Sequence, residues 1–280
     1  MTPLILTADD FGLAVEVNMA IAFAHKAGHL RCTSLMVTAP AAEDAVARAR
    51  AMPDLGVGLH VTLVEGRPAL PAADIPDLVG PDGRFLDDPL AAGLRFFFRP
   101  GARRQLWAEI RAQFEAFAAT GLPLDHVNAH NHLHLHPTVL SIMLDVARGF
   151  GSPPVRLPRE TIRVATMGGV AALAARIAMA PILALAAARL AHAGVRHNRS
   201  ILGLSHSGRM DEARVLSLLA AAGRGPVELY LHPATGRAPA LDRTMAEYDH
   251  TGELSTLLSP ALGDAIAARG FRLARFRDLA

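Results

Sequence analysis

The chain has 280 residues, 51% of them hydrophobic, and a formal net charge of only +2. This apolar content is too high for a disordered protein and is ample for a sizeable core. Lys26 is the only lysine, and the clusters Arg103-Arg104 and Arg272 to Arg277 lack the interleaved aromatic pattern that stacks on bases. We therefore expect no nucleic-acid partner.

The cysteine count and the amino terminus bear on the cellular compartment. Cys32 is the single cysteine, so no disulfide can form within the chain. The first residues, MTPLILTADD, have no basic region and only a few apolar residues before two aspartates, which is unlike a signal peptide. We expect a cytoplasmic protein.

The first sixty residues alternate short apolar runs with amphipathic segments. Strands are predicted at Pro3 to Ala8, Cys32 to Thr38 and Val57 to Val64, and helices at Val15 to Gly28 and Ala41 to Met52. A strand followed by a helix is the repeating unit of a parallel sheet.

The alternation of strands and helices continues after an interruption at residues 65–101. Glu65 to Gly101 is rich in Pro, Gly and Asp, which predicts a long excursion or lid, and Arg103 to Thr120 is predicted to be a helix. Further strands are predicted at Val127 to His130, Pro154 to Leu157, Ile201 to His206 and Val227 to Leu231. Seven or eight such units predict an α/β fold closed into a barrel, in one domain spanning residues 1–280.

Residues from about 160 to 199 are predicted to form a helical insertion, and its core, Gly168 to Ala191, is strongly apolar. Arg176 and Pro181 interrupt this core, and its uncharged part, Ile177 to Ala188, is about a dozen residues against the ~20 that cross a bilayer. Two interpretations remain open: a buried helical insertion, or a hydrophobic lid or surface that docks on lipid.

A histidine-rich stretch runs from Asp125 to Pro137. If it is extended, alternate side chains share one face, namely Asn128, His130, His132, His134 and His136. Two residues along a strand span roughly 6.6 Å, whereas metal–nitrogen bonds are about 2.0–2.1 Å. One ion therefore cannot take the whole row, and we expect one ligand histidine with neighbours in other roles.

Several polar residues fall at or just after predicted strand ends, where the active sites of such barrels form. They are Asp9, Asp10, His60, His130 and His232. Taken alone, the two aspartates suit a turn or helix cap equally well, and a lone strand histidine is more often a hydrogen-bonded core residue. Together they supply two histidines and a carboxylate, a set that leaves positions for water and substrate around one metal ion.

Five motifs in order resemble the YdjC-like carbohydrate deacetylase family. They are TADDFG (7–12), GLHVTL (58–63), NAHNHLHLHP (128–137), SGRM (207–210) and ELYLHP (228–233). The NHLHLHP variant, RLPRE at 156–160 and the tail from LHPAT to LLSP look most like the hopanoid biosynthesis-associated HpnK branch.

The resemblance implies a distorted (β/α) barrel with one divalent ion held by Asp10, His60 and His130. Such ligands accept Zn, Mg, Mn, Co or Ni, of which we expect Mg or Zn. The resemblance also implies hydrolysis of an N-acetyl group from an amino sugar, with Asp9 as general base and His232 as general acid. The residue types suit this chemistry, because a metal polarises an amide carbonyl and acidifies water while a base and an acid move the protons.

Other residues near these motifs are substrate-binding or supporting candidates. Arg156 could orient Asp9, hold a sugar hydroxyl or form a structural ion pair. Asn128 stands where many relatives have an aspartate, so it can orient a ligand but adds no charge. His132 and His134 could line the sugar site, support the ligands or cap the next helix, and His136 is the weakest candidate.

The HpnK-like features imply an N-acetylglucosaminyl hopanoid, a sugar carried on a lipid, and contact with the inner membrane face. The apolar insertion and the segment Leu94 to Phe98 would then provide a surface for the lipid tail. The alternatives are a deacetylase of soluble chitooligosaccharides, another single-metal hydrolase, or a non-catalytic metal- or lipid-binding barrel. The oligomeric state has no signal in the sequence.

Overall fold

The computed structural model describes residues 1–279, and its centre is a parallel sheet. Among these residues the strands are β1 Thr2–Phe11, β2 Cys32–Leu35, β3 Gly56–Val61, β4 Leu124–Ala129, β5 Ser200–Leu202, β6 Val227–Leu231 and β7 Phe271–Leu273. The strand order is β4-β3-β2-β1-β6-β5, all pairs are parallel, and β7 pairs with the first residues of β1.

An irregular segment, residues 154–159, crosses the gap between the edge strands β4 and β5. Val127 donates its backbone N–H to the Pro154 carbonyl at 2.8 Å, and Ile201 donates to the Arg159 carbonyl at 3.1 Å. The sheet therefore curls into a distorted (β/α) barrel, as the sequence predicted. The carboxyl ends of its parallel strands meet on one face.

This segment corrects one predicted strand. Pro154 to Leu157 forms a single bridge, Val127 to Val155, rather than a regular strand. Prolines at 153, 154 and 158 have no N–H to donate to a ladder, which explains the irregularity. The short strand Phe271–Leu273 was missed, because its sequence, FRL, is too short to show a period.

Helices surround the barrel, and their apolar faces join the strands in one continuous core. They are α1 Val15–Lys26, α2 Ala42–Arg50, α3 Pro89–Phe98, α4 Ala102–Ala119, α5 Pro137–Ala147, α6 Ile162–Met167, α7 Gly169–Ala178, α8 Ala180–His192, α9 Glu212–Ala221, α10 Pro239–Thr244, α11 His250–Leu258 and α12 Pro260–Ala268. Helix α3 lies inside the predicted lid excursion, and α6 to α8 lie inside the predicted insertion.

The insertion was also the candidate for a membrane span. Over residues 1–279, no single helix is both long and apolar enough to cross a bilayer. Helices α7 and α8 together have the required length and composition, but they are bent by 50° at their junction.

Candidate metal centre and active site

The two adjacent aspartates lie on an irregular end of β1. The strand runs to Phe11 instead of stopping at Ala8, and its pairing with β2 shifts register between these two residues. Asp10 has a φ of 63°, in the left-handed region that a non-glycine residue rarely adopts. The shift separates the neighbouring carboxylates, so Asp9 and Asp10 have different partners.

Asp10, His60 and His130 bring three ligand atoms to one point. Asp10 Oδ1 lies 3.3 Å from His60 Nε2 and 3.2 Å from His130 Nδ1, and the two nitrogens are 3.3 Å apart. Ligands bound at about 2.1 Å in a tetrahedral shell are about 3.4 Å apart. All three side chains are buried, and within the described residues neither Asp10 oxygen has a hydrogen-bond partner of good geometry.

Hydrogen bonds on the far side of each imidazole determine which nitrogen faces this point. His60 Nδ1 donates to Asn128 Oδ1 at 2.7 Å, and His130 Nε2 donates to Glu65 Oε2 at 2.8 Å. His60 Nε2 and His130 Nδ1 therefore carry lone pairs toward the Asp10 carboxylate. Three such electron-rich atoms repel one another unless a cation lies between them, so the residues fit a divalent ion.

The pKa shifts of His130 and Asp10 also indicate that positive charge is favoured between these side chains. Burial lowers the pKa of His130, but the carboxylates of Asp10 and Glu65 outweigh it and raise the pKa to about 10. Burial also opposes ionisation of Asp10, yet its histidine partners hold the pKa well below its usual range. The carboxylates thus favour positive charge at this point.

The histidine-rich stretch does not remain extended, which corrects the predicted shared face. The strand β4 ends at Ala129, and residues 130–135 form a 3₁₀ turn in which Asn131 and His132 adopt left-handed φ values of 51° and 53°. His134 is buried, and its Nε2 donates to the Arg156 carbonyl at 3.0 Å. His132 instead packs edge-on against Tyr230.

Arg156 is completely buried and lies between two carboxylates. Its guanidinium donates to both oxygens of Asp9, at 2.5 and 3.0 Å, and to Glu228 Oε1 at 2.6 Å. Burial opposes ionisation of Asp9, but Arg156 outweighs it and holds the pKa of Asp9 well below its usual range. The side chain is completely buried and therefore away from any sugar, and its contacts fit both the orientation of Asp9 and a structural ion pair.

His232 follows directly after β6, between the rings of Tyr230 and Tyr248, each with its centroid 5.3 Å away. Its carbonyl accepts a hydrogen bond from His250 Nδ1 at 2.6 Å, and its backbone N–H donates to Glu253 Oε2 at 2.5 Å. Burial lowers the pKa of the His232 ring. The backbone of His232 is therefore held by two hydrogen bonds, and the ring favours its neutral form.

We predict that the stability of the protein depends on pH through Glu253, which accepts backbone N–H groups of His232 and Met210. Burial raises the pKa of Glu253 to about 7, although N–H donors from His232 and Met210 oppose it. The folded protein then binds this proton more tightly than the unfolded chain does. Its stabilising contribution is fully present below the ordinary pKa of 4.5 and is lost as the pH rises through about 7.

We expect this loss to be roughly 3 kcal/mol. The measurement is urea unfolding across this pH range, comparing the unmodified protein with Glu253→Gln, which cannot titrate. As the pH rises through about 7, the unfolding free energy of the unmodified protein should fall relative to that of Glu253→Gln. Parallel pH profiles for the two proteins would contradict the assignment.

Two cavities meet at this face of the barrel. A pocket of about 250 Å³ is lined by Asp9, His60, His130 and His232, among others. A larger groove of about 780 Å³ is mostly apolar, with Glu160 and Arg176 in its wall, and runs between α3 and α7. The walls of both cavities include Asn131, His132 and Leu204.

Several supporting residues were not predicted from the sequence. They are Ser34, Glu65, Glu228, Tyr230, Tyr248 and Glu253. Glu228 and Tyr230 lie in the ELYLHP motif, so their nearness to His232 was a usable signal. Glu65 begins the lid excursion and has a left-handed φ of 58°, a feature that sequence patterns do not reveal.

Comparison with known proteins finds relatives that are named carbohydrate deacetylase. A carbohydrate deacetylase of Geobacillus stearothermophilus is 31% identical over 98% of this chain and 96% of its own length. A carbohydrate deacetylase of Brevibacillus brevis is 38% identical, over 55% of this chain and 59% of its own length, so that match spans less than two thirds of the relative.

A solved structure from Enterococcus faecalis V583 has the same architecture. That protein, provisionally described as a cellobiose-phosphate cleavage protein, is 26% identical, with a TM-score of 0.81 over 100% of this chain and 99% of its own. The sequence profile of the YdjC-like protein family matches residues 3–268. The chain therefore belongs to the YdjC-like protein family.

Proposed function

We propose that this protein is a metal-dependent carbohydrate deacetylase that removes the N-acetyl group of an amino sugar. The relatives named carbohydrate deacetylase support the reaction class. The observation that carries the metal dependence is the meeting of Asp10, His60 and His130, whose three ligand atoms lie within 3.3 Å of one another. Asp9 and His232 line the pocket beside them.

The proposed roles follow from the charges and contacts of the side chains. A divalent ion held by Asp10, His60 and His130 would polarise the amide carbonyl and make a nearby water more acidic. Asp9 takes the proton from that water, and Arg156 keeps Asp9 ionised and oriented for this step. The Arg156 pairing makes Asp9 a weak base, and a bound divalent ion would offset this by making the water more acidic.

Completion of the hydrolysis requires a proton on the leaving group. As water oxygen bonds to the acetyl carbon and the carbon–nitrogen bond breaks, His232 donates a proton to the departing amine nitrogen. The products are acetate and a free amino sugar. Since burial lowers the pKa of His232, the ring must gain that proton in the substrate complex, where the adjacent carboxylates favour its charged form.

The finer proposal is that the amino sugar is attached to a lipid, such as an N-acetylglucosaminyl hopanoid. The polar pocket is smaller than the roughly 300–1,000 Å³ typical of ligand sites and suits a sugar headgroup. The adjoining apolar groove offers a place for a lipid tail. Its lining includes Leu94, Phe97, Met179 and Ile182.

The rim of the groove is also suited to contact with a membrane. Leu90, Phe97 and Phe98 of α3 are 72%, 65% and 72% exposed, and Val170 of α7 is 86% exposed. Arg99, at the end of α3, is an exposed arginine that also pairs with Asp77 at 3.1 Å. Apolar side chains beside arginine favour a surface of anionic lipid. We propose peripheral contact there, on the inner membrane face.

The assay offers purified protein an acetylated glycolipid and N-acetylchitobiose, and measures release of acetate. We expect turnover of the glycolipid, and we expect Phe97→Asp to raise KM for it about tenfold or more, since burying a phenylalanine is worth about 1.5–3 kcal/mol. The kinetic constants for chitobiose should be unchanged in this variant.

Phe23→Asp is the matched control, because Phe23 is a half-exposed phenylalanine on α1 outside the groove. It should leave both substrates unaffected. Co-sedimentation with vesicles of phosphatidylcholine and phosphatidylglycerol should weaken in Phe97→Asp alone. Acetate release only from chitobiose would reject the lipid-linked substrate and favour a soluble chitooligosaccharide, while leaving the deacetylase proposal in place.

A further inference from the structure

A chain of buried hydrogen bonds leads from the opposite end of the barrel to the metal centre. Asp125 Oδ2 lies 3.0 Å from His126 Nδ1, and His126 Nε2 lies 3.0 Å from Ser34 Oγ. Ser34 Oγ lies 2.9 Å from Asn128 Nδ2, and Asn128 Oδ1 accepts from His60. All of these residues are buried, and the mechanism proposed above uses only the last of them directly.

The direction of this chain follows from its first member. Asp125 accepts backbone N–H groups of Phe276 and Arg277, at 3.2 and 3.3 Å. Burial raises its pKa, but His126 and Arg277 outweigh burial, so the pKa of Asp125 is lowered. An ionised Asp125 can only accept, so His126 Nδ1 carries a proton. Ser34 Oγ accepts from Asn128 Nδ2, so its own hydroxyl proton is directed to His126 Nε2, which accepts in the neutral ring.

The same logic fixes the orientation of Asn128. Its Nδ2 donates both to Ser34 Oγ and to Asp9 Oδ1, the latter at 3.2 Å. Rotating the amide by half a turn would point its oxygen at the Asp9 carboxylate, which is a repulsive contact. The orientation with Nδ2 toward Asp9 is therefore favoured, and Oδ1 then accepts from His60 Nδ1.

We propose that Asp125, His126 and Ser34 are positioning residues that orient Asn128, and that Asn128 in turn holds His60 with Nε2 free for the ion. This inference rests on the proposed metal site. It also explains why residue 128 is an asparagine. An ionised aspartate could accept from His60 but could not donate to Asp9 or Ser34.

The packing around the chain leaves space for these side chains. A Cβ atom added at Gly58 would lie 2.5 Å from the His126 ring, and one added at Gly56 would lie 2.8 Å from the Asp125 carboxyl carbon. On its other side the His126 ring stacks on Phe276, with centroids 4.4 Å apart. The two glycines of β3 and the carboxyl-terminal segment therefore enclose the hydrogen-bond chain.

Cys32, Asp125 and His126 also cluster closely enough to suggest a second metal site. The geometry favours the hydrogen-bonded arrangement instead. Both Asp125 oxygens accept backbone N–H groups, both His126 nitrogens have partners, and burial raises the pKa of the Cys32 thiol well above its usual range.

The test measures zinc affinity by calorimetric titration of chelator-treated protein. Ser34→Ala is expected to weaken zinc binding about tenfold, the lower end of the usual cost of losing a partner behind a metal ligand, because Ser34 acts on His60 only through Asn128. Thr33→Val is the matched control: Thr33 is a buried hydroxyl on the same strand, but it donates to the Ala8 carbonyl at 2.8 Å and takes no part in the chain. It should bind zinc as the unmodified protein does.

Nitrogen-15 NMR of the zinc-loaded, unmodified protein tests the same inference without a substitution. We expect the protonated ring nitrogen to be Nδ1 in both His60 and His126. Zinc affinity unchanged by Ser34→Ala, equal weakening by Thr33→Val, or an Nε2 proton on His126 would each overturn the inference. A failure of the unmodified protein to bind zinc or other divalent ions would overturn the metal site itself, and the inference with it.

Discussion

Asp10→Asn is expected to weaken binding of the divalent ion more than about 100-fold, because loss of a partner behind a ligand alone costs about 10–100-fold. Turnover should be lost with the ion. Asp9→Asn is expected to retain the ion but to lower kcat by about 10²–10⁴, the usual contribution of a general base. The two carboxylates are adjacent and both buried, so each variant controls for the other.

Elemental analysis for bound metal, together with acetate release, distinguishes the outcomes. We expect one ion per chain in the unmodified protein and in Asp9→Asn. Two ions would favour a two-metal hydrolase over the deacetylase. Persistent turnover in Asp9→Asn would remove Asp9 from the role of base, and bound ion without turnover of any acetylated sugar by the unmodified protein would favour the non-catalytic barrel.

Arg156→Met is expected to lower the free energy of unfolding by about 3–5 kcal/mol. The guanidinium is the cation between Asp9 and Glu228, and both carboxylates are buried. Burial raises the pKa of Glu228 even with Arg156 beside it. Removing the arginine would leave two carboxylates without a cation in a region of low polarity.

Urea denaturation measures this loss. Arg48→Met is the control, because Arg48 and Asp44 form a pair of comparable length, 2.7 Å, on the surface of α2. That variant should lose no more than about 1 kcal/mol. Adding Glu228→Gln to Arg156→Met should recover part of the stability. Equal, small losses for the two single variants would mean that the buried carboxylates are accommodated without the arginine.

The alternating units could be predicted because hydrophobic periodicity is a local property. Val227 to Leu231 was predicted with the bounds that β6 has, and the helix at Arg103 to Thr120 lies within one residue of α4 at each end. The prediction failed at Pro154 to Leu157, where prolines prevent a ladder. It also failed after Ala129, where two left-handed residues break the extended pattern.

The candidate site was predictable at the level of residue types. Strand ends and motif resemblance selected Asp10, His60 and His130, and the structure brings their ligand atoms together, while their roles stay predictions. Glu65 and Ser34 could not be selected, because each is an ordinary residue in sequence. Their importance comes from contacts with His130 and Asn128, which lie 65 and 94 positions away.

The sequence by itself determined the barrel units, the family and the identities of the residues near the site, since these depend on local periodicity and short motifs. Tertiary structure alone decided which nitrogen of His60 and His130 faces the Asp10 carboxylate, that Arg156 contacts Asp9, and that an apolar groove opens beside the polar pocket. Arg156 and Asp9 are 147 positions apart. Hydrogen-bond direction and cavity shape depend on such distant partners, and only the folded chain brings them within contact.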